Sequence, residues 1–148
     1  MDGIIPFDAL LQRAQNDTDL VNQERISLYK DYMACLYNLK AEPTLLFYDN
    51  ETKNRLIEII PSLRLVSSKK LTKYFKTFFE TIKSKVDEFA EKEAHIDAPS
   101  DENGSESDWQ YYDFLIEKLR KETALKPEYF DEQIKSFTNI VQKELHIK

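Results

Sequence analysis

The chain has 148 residues, of which 41% are hydrophobic and 32% are charged, with a formal net charge of −6. Its two glycines exclude a phosphate-binding loop and a dinucleotide fingerprint, since both motifs need glycine at several positions. One cysteine excludes an internal disulfide, and one cysteine with two histidines excludes the common structural zinc sites. We therefore expect neither a metal site nor a bound cofactor.

The apolar residues recur mostly at spacings of three and four, which is the period of α-helices. Alternating runs bounded by Asn-Gly or Asp-Gly turns, which are typical of strands, are absent, and only residues 63–66 resemble a short strand. We predict an all-α fold in which residues 1–148 form a single domain. Its architecture is expected to be an irregular bundle of five to seven helices around a long helix at 18–40.

A short helix is predicted after Pro6, and residues 17–19 offer N-caps for the long helix. The long helix has two apolar stripes, a pattern typical of a central helix with neighbours on both sides. The first stripe consists of Val21, Leu28, Tyr32, Leu36 and Leu39. The second consists of Ile26, Met33 and Tyr37. Arg25 lies within the first stripe, and its guanidinium is expected to extend to solvent or to pair with an acid.

Two more helices are predicted in the middle of the chain. Asp49 or Asn50 caps the first, which we expect Pro61 to end. Ser67 or Ser68 caps the second, at residues 69–94, which is the most clearly amphipathic segment. Its apolar stripe consists of Leu71, Phe75, Phe78, Phe79, Ile82, Val86 and Phe89. The opposite side, which we name the lysine face, consists of Lys69, Lys73, Lys76 and Lys83.

An acidic segment separates that helix from the last two. Residues 96–108 carry five acidic side chains together with proline, glycine and serine, so we expect a mobile linker. Ser107 or Asp108 is the predicted cap of a helix that begins at Trp109. Pro127 opens the last helix, whose apolar stripe consists of Phe130, Ile134, Phe137, Val141 and Leu145.

Charge is unevenly distributed along the chain. Residues 53–85 hold nine basic and two acidic residues, whereas residues 86–108 hold one basic and nine acidic residues. The lysine face is therefore a candidate contact for an acidic surface of a protein partner. Nucleic-acid phosphates or anionic lipid are an alternative ligand. A further alternative is an ordinary solvated face, in which ion pairs form along the helix as Lys76–Glu80 and Lys83–Asp87.

The cysteine and the histidines do not indicate catalysis. Cys35 lies toward the C-terminal end of the long helix, where the helix dipole disfavours a thiolate, so we expect a buried core cysteine. Glu91 and His95 are four residues apart and resemble half of a carboxylate–histidine metal site, but the usual motif is Glu-x-x-His, so the spacing is wrong, and the chain has no second copy. We interpret His95 and His146 as residues at helix ends.

Two features of the segment after the linker are candidates for function. Asp113 and Glu117 share a helix face, but Arg120 lies near both and weakens them as a general acid and base, so we assign no catalytic residue. The second feature, which we name the aromatic cluster, consists of Trp109, Tyr111 and Tyr112. Amphipathic rings of this kind are frequent at protein–protein interfaces, although packing against the core is the alternative.

These observations favour a non-enzymatic protein-interaction module: an adaptor, a complex subunit, or an effector or inhibitor that acts by binding. One alternative is a helical subunit that binds nucleic acid or an anionic surface through the basic segment 53–85, although the acidic total disfavours it. The other is a small helical enzyme with carboxylate catalysis. Residues 1–6 do not resemble a signal peptide and no apolar run approaches 18 residues, so we expect an intracellular protein, cytoplasmic or nuclear, without a transmembrane segment.

Overall fold

Five α-helices and one 3-10 helix follow one another between residues 20 and 144 of the computed structural model. They are α1 (Leu20–Ala41), the 3-10 helix (Pro43–Phe47), α2 (Glu51–Val66), α3 (Lys69–Glu93), α4 (Glu106–Thr123) and α5 (Pro127–Glu144). The structure describes residues 6–9, 20–100 and 105–144; residues 7–9 are also helical, and no strand occurs within these ranges. The predicted all-α fold, a single irregular helical bundle, is confirmed.

The helix α1 is central, since it packs against α2, α5 and the 3-10 helix. The buried residues of its two stripes are Ile26, Tyr32, Met33, Leu36 and Leu39. Tyr37 was expected in the second stripe, but its side chain is 53% exposed, and that prediction is wrong. Periodicity identifies the angular position of a residue around the helix axis. Burial also needs a neighbouring element at the same position along that axis. The side chain of Val21 lies outside the described residues.

The core is built around Tyr32 of α1, whose side chain is fully buried. Its ring centroid lies 5.1 Å from that of Phe75 in α3 and 4.8 Å from that of Phe137 in α5, both in edge-on arrangements. The hydroxyl of Tyr74 donates to the backbone oxygen of Gln133 at 3.3 Å, so the Tyr32 hydroxyl, 2.8 Å away, donates to Tyr74. These hydrogen bonds satisfy both phenols and connect α1, α3 and α5.

Arg25 lies half-buried at the beginning of α1, close to Glu144 at the end of α5. Burial raises the pKa of the Glu144 carboxyl above its usual value, and the charge of Arg25 opposes that rise. The hydroxyl of Tyr29 donates to Glu144 Oε2 at 3.4 Å. Arg25 Nε and Glu144 Oε1 are both buried without a hydrogen-bond partner among the described residues. Glu144 is therefore an acidic neighbour of Arg25, but the expected ion pair between the two side chains is not formed.

The apolar stripes of α3 and α5 are confirmed. In α3 the fully or almost fully buried members are Leu71, Phe75, Phe78, Ile82 and Phe89, while Phe79 and Val86 are partly buried against the same core. In α5 the buried members are Phe130, Ile134, Phe137 and Val141. The remaining predicted member, Leu145, lies outside the described residues, as do His146 and the caps proposed at 17–19.

Side-chain caps define the beginnings of α2 and α3 as predicted. Asn50 Oδ1 accepts a hydrogen bond from the Lys53 N–H at 3.0 Å. Ser68 Oγ accepts one from the Leu71 N–H at 3.2 Å. Each cap satisfies a backbone donor that has no partner within its own helix.

Replacing Ser68 with alanine is expected to lower the free energy of unfolding by about 1 kcal/mol, because the Leu71 N–H loses its acceptor. Urea denaturation followed by circular dichroism measures this change. Ser84→Ala is a matched control, since Ser84 is exposed on the same helix, and it is expected to change stability by less than about 0.5 kcal/mol. Equal losses in the two variants would contradict the role of Ser68 as a cap.

Pro61 lies inside α2 instead of ending it, so the predicted end of this helix is wrong. Proline lacks the N–H that would bond the carbonyl of Ile57, and it costs about 3 kcal/mol in a helix interior. The helix continues because Ile59, Ile60 and Leu63 are buried against the rest of the bundle, and each buried side chain contributes about 1.5–3 kcal/mol. Residues 63–66, which resemble a strand in sequence, form its last turn.

The helix α4 begins at Glu106, earlier than predicted from Trp109. Its cap is Ser105 rather than Ser107 or Asp108: Ser105 Oγ accepts from the Asp108 N–H at 3.2 Å, and Asp108 Oδ2 accepts from the Ser105 N–H at 3.1 Å. This reciprocal capping box extends the helix through three residues of the predicted linker, 106–108. Residues 101–104 of the predicted linker lie outside the described residues.

Candidate functional site

All four residues of the lysine face are exposed on α3. They lie opposite Phe75, Phe78 and Ile82, which are buried in the core. The amphipathic division predicted from the sequence is therefore present, because burying the apolar stripe leaves the opposite side of the helix in water.

The lysine face has no intramolecular ion pair with the described residues. Farther along the same helix, Glu88 pairs with Lys85 (Nζ–Oε1 3.6 Å) and with Lys92 (Nζ–Oε2 3.1 Å). The pairs expected of an ordinary solvated face are not formed within residues 20–100 and 105–144; these are Lys76–Glu80 and Lys83–Asp87. The four ammonium groups therefore have no ion-pair partner in that part of the chain.

The charge pattern at the beginning of α3 opposes its helix dipole. The first turn includes Lys69 and Lys70 and has no acidic residue, although the positive end of the dipole favours acidic side chains by about 0.3–1 kcal/mol each. The lysine side chains and the free backbone N–H groups therefore add to one positive potential. An acidic group at this end of the lysine face would meet both the lysine charges and the positive end of the dipole.

An exposed leucine lies next to this positive region in the chain. Leu65, in the last turn of α2, is 87% exposed, and it follows Arg64, which is exposed too. The sequence gives no sign of this exposure, because residues 63–66 resemble a short strand. An isolated exposed leucine is common on protein surfaces, so it adds apolar area here without defining a site.

The aromatic cluster divides into a packed part and an exposed part. Trp109 and Tyr112 are half-buried and contact each other edge to face, with ring centroids 5.8 Å apart. Tyr111 is 55% exposed, and Phe114, which sequence reasoning missed, is 63% exposed. The centroids of these two exposed rings are 6.5 Å apart. The spacing of three residues between Tyr111 and Phe114 was the signal that could have identified this pair.

A surface groove of about 430 Å³ lies beside the aromatic cluster. The loop after α3 forms one wall through Asp97 and Pro99, and α4 forms the other. The side chains that α4 contributes are Asp108, Tyr111, Tyr112 and Leu115. The groove thus combines two carboxylates with two tyrosine rings and the apolar side chain of Leu115.

Cys35 is 3% exposed, so the prediction of a buried cysteine is confirmed. Its thiol points toward the Thr52 backbone oxygen, with an Sγ–O distance of 3.8 Å. Burial raises the pKa of this thiol to about 11, the negative charge of Asp31 adds to the rise, and Arg55 opposes it. A thiol with this pKa is protonated at neutral pH and is a poor nucleophile.

Of the two carboxylates considered for acid–base chemistry, Glu117 forms a salt bridge with Arg120 and Asp113 forms none within the described residues. Arg120 Nη1 lies 3.2 Å from Glu117 Oε2, and the same guanidinium sits 5.1 Å above the ring of Tyr48. Asp113 and His95 are exposed. Within the described residues, no group of three or more histidine, cysteine, aspartate or glutamate side chains is arranged to hold a metal ion.

No protein-family model matches the chain, and comparisons with the curated proteins and with the solved structures find no match. None of the helices in the described part of the chain combines the length and the apolar character needed to cross a bilayer.

Proposed function

We propose that this protein is a non-enzymatic interaction module, an adaptor, complex subunit or inhibitor, that binds an acidic surface of a protein partner through the lysine face. The observation that carries the proposal is that all four lysines are exposed and none forms an ion pair within the described residues. This holds although Glu80 and Asp87 each lie four residues after a lysine of the face, which is the spacing of ion pairs on a helix. The positive potential at the beginning of α3 supports it.

The expected strength of the interaction follows from the exposure of the lysines. An exposed ion pair contributes about 0.2–1 kcal/mol, so a single lysine changes affinity little. Four together change affinity by about tenfold to a hundredfold, mostly by accelerating association at low salt. Binding through this face is therefore salt-dependent, and a tight complex needs additional apolar contacts from the partner.

A direct test compares two fourfold lysine-to-glutamine variants with the unmodified chain. The test variant replaces Lys69, Lys73, Lys76 and Lys83. The control variant replaces exposed lysines of other segments and makes the same change in net charge; these are Lys30, Lys121, Lys126 and Lys143. Neither variant alters a core residue, so circular dichroism is expected to show unchanged helix content and melting.

The binding probe is a fluorescently labelled glutamate-rich peptide, titrated at low and at physiological salt. We expect the test variant to raise the Kd by about tenfold or more at low salt and to flatten the salt dependence, while the control variant stays close to the unmodified chain. Equal effects of the two variants would contradict the proposal. Double-stranded DNA and anionic vesicles are titrated in parallel. Tighter binding of either one, lost only in the test variant, would favour the nucleic-acid or membrane alternative instead.

A further inference from the structure

The groove between the loop after α3 and the first half of α4 has the chemistry of a cation-binding surface. Asp97 and Asp108 supply carboxylates from its two walls, and Tyr111 and Tyr112 supply aromatic rings. The face of an aromatic ring attracts cations, and a nearby carboxylate adds a charge-assisted hydrogen bond. The combination is more specific than either component, because it needs a cation that also offers a flat or apolar surface.

The first turn of α4 holds this wall of the groove in place. The capping box engages one oxygen of Asp108 with the Ser105 N–H at 3.1 Å, which leaves the second oxygen of the carboxylate as an acceptor. Tyr112 is anchored because it packs against the core and against Trp109. A ligand therefore meets a preformed wall and does not have to order these side chains itself.

The charge around the groove favours a basic ligand. Residues 86–108, which include the loop wall and the beginning of α4, hold nine acidic residues and one basic residue. Of the four aromatic rings at this place, Tyr111 and Phe114 are more than half exposed. Tyr111 lines the groove, and together with Leu115 it offers an apolar surface that can cover the aliphatic part of a long basic side chain.

We propose that this groove binds an arginine side chain of a basic peptide segment in a protein partner. Arginine fits better than lysine, because its planar guanidinium stacks on tyrosine rings and donates to a carboxylate in the same plane. This inference is independent of the lysine face, which lies on the outer side of α3 and attracts the opposite charge. Together the two surfaces would let one molecule bridge a basic and an acidic partner.

Intrinsic tryptophan fluorescence can report binding at this groove. Trp109 is its only tryptophan, and its ring contacts that of Tyr112 at 5.8 Å between centroids. Tryptophan fluorescence of the full chain is therefore titrated with a short peptide in which arginine alternates with glycine. The same peptide with glutamine in place of arginine is the reference. We expect a saturable change in emission with the arginine peptide and no change with the glutamine peptide.

Matched variants locate the binding. Tyr111→Ala and Asp97→Asn are each expected to raise the Kd about two- to fivefold. The controls are Tyr37→Ala, which removes a tyrosine of similar exposure (53%) from α1, and Asp113→Asn, which removes an exposed carboxylate of α4 outside the groove. The controls are expected to leave the Kd unchanged. All four positions are exposed, so circular dichroism is expected to show folded variants.

Two results would overturn the proposal. The first is an equal loss of affinity in the test and control variants, which would show only general attraction to the acidic protein. The second is self-association: sedimentation of the chain alone would show a dimer or larger species that dissociates when Asp97 or the lysine face is neutralised. The occupant of the groove would then be a second copy of this chain rather than a partner peptide. A monomer with the expected fluorescence response supports the proposal.

Discussion

Replacing Phe137 with alanine is expected to lower the free energy of unfolding by about 3–5 kcal/mol. Phe137 is fully buried in α5, and its ring centroid lies 4.8 Å from Tyr32, 5.3 Å from Tyr29 and 5.7 Å from Phe75. Removing the ring eliminates the contacts of α5 with Tyr29 and Tyr32 in α1 and with Phe75 in α3. It also leaves a cavity that the surrounding rings cannot fill without moving. Domains of this size have about 5–15 kcal/mol of stability in total, so the loss is a large fraction.

Phe114→Ala is the matched control, because it removes the same side chain from a site that is 63% exposed. It is expected to change stability by less than about 0.5 kcal/mol. Urea denaturation curves of both variants and of the unmodified chain give the midpoints and slopes needed for the comparison. Similar losses at the two positions would show that the aromatic rings around Tyr32 do not form the energetic centre of the bundle.

The second large effect concerns the reactivity of Cys35. With the pKa of its thiol raised to about 11, roughly one molecule in a thousand carries the thiolate at pH 8, compared with about one in ten at the ordinary value of 9.0. The thiol is also 3% exposed, which restricts the approach of a reagent. We therefore expect the native chain to react with a disulfide reagent at least about a hundredfold more slowly than the chain unfolded in denaturant.

The measurement follows the release of the coloured thiol product at pH 8, with and without denaturant, and uses glutathione to correct for the effect of denaturant on the reagent. From pH 7 to 9 the native rate is expected to rise by about a factor of ten per pH unit, because the pH stays far below the pKa of the thiol. The rate of the unfolded chain is expected to level off toward pH 9 and above. Equal rates in the two states would mean that Cys35 is accessible and its thiolate stabilised, contrary to the structure.

Local patterns were sufficient to predict the parts of this protein whose structure depends on near neighbours in the chain. The helix α3 is the clearest case: its cap at Ser68, its buried stripe and its exposed lysines all follow from the order of residues within about 25 positions. A side chain that caps a helix bonds a donor three residues away, and an apolar stripe needs only the helical period. Both signals are therefore present in the sequence itself.

The tertiary structure decided the features that depend on what packs against each helix. Pro61 interrupts α2 locally, but burial of Ile60 and Leu63 against the rest of the bundle outweighs the lost hydrogen bond. Tyr37 has the spacing of a core residue and is exposed, since periodicity carries no information on where a neighbouring helix stops.

The two candidate surfaces differ in the same way. The lysine face follows from a single helix, so the sequence by itself determined which residues form it and that they lie opposite the core. The arginine-binding groove needs Asp97 in the loop and Tyr111 in α4 to stand on facing walls. Only the tertiary structure decided this arrangement, because the position of Tyr111 relative to Asp97 depends on how α4 packs against α3 and the 3-10 helix, and no local residue pattern encodes that contact.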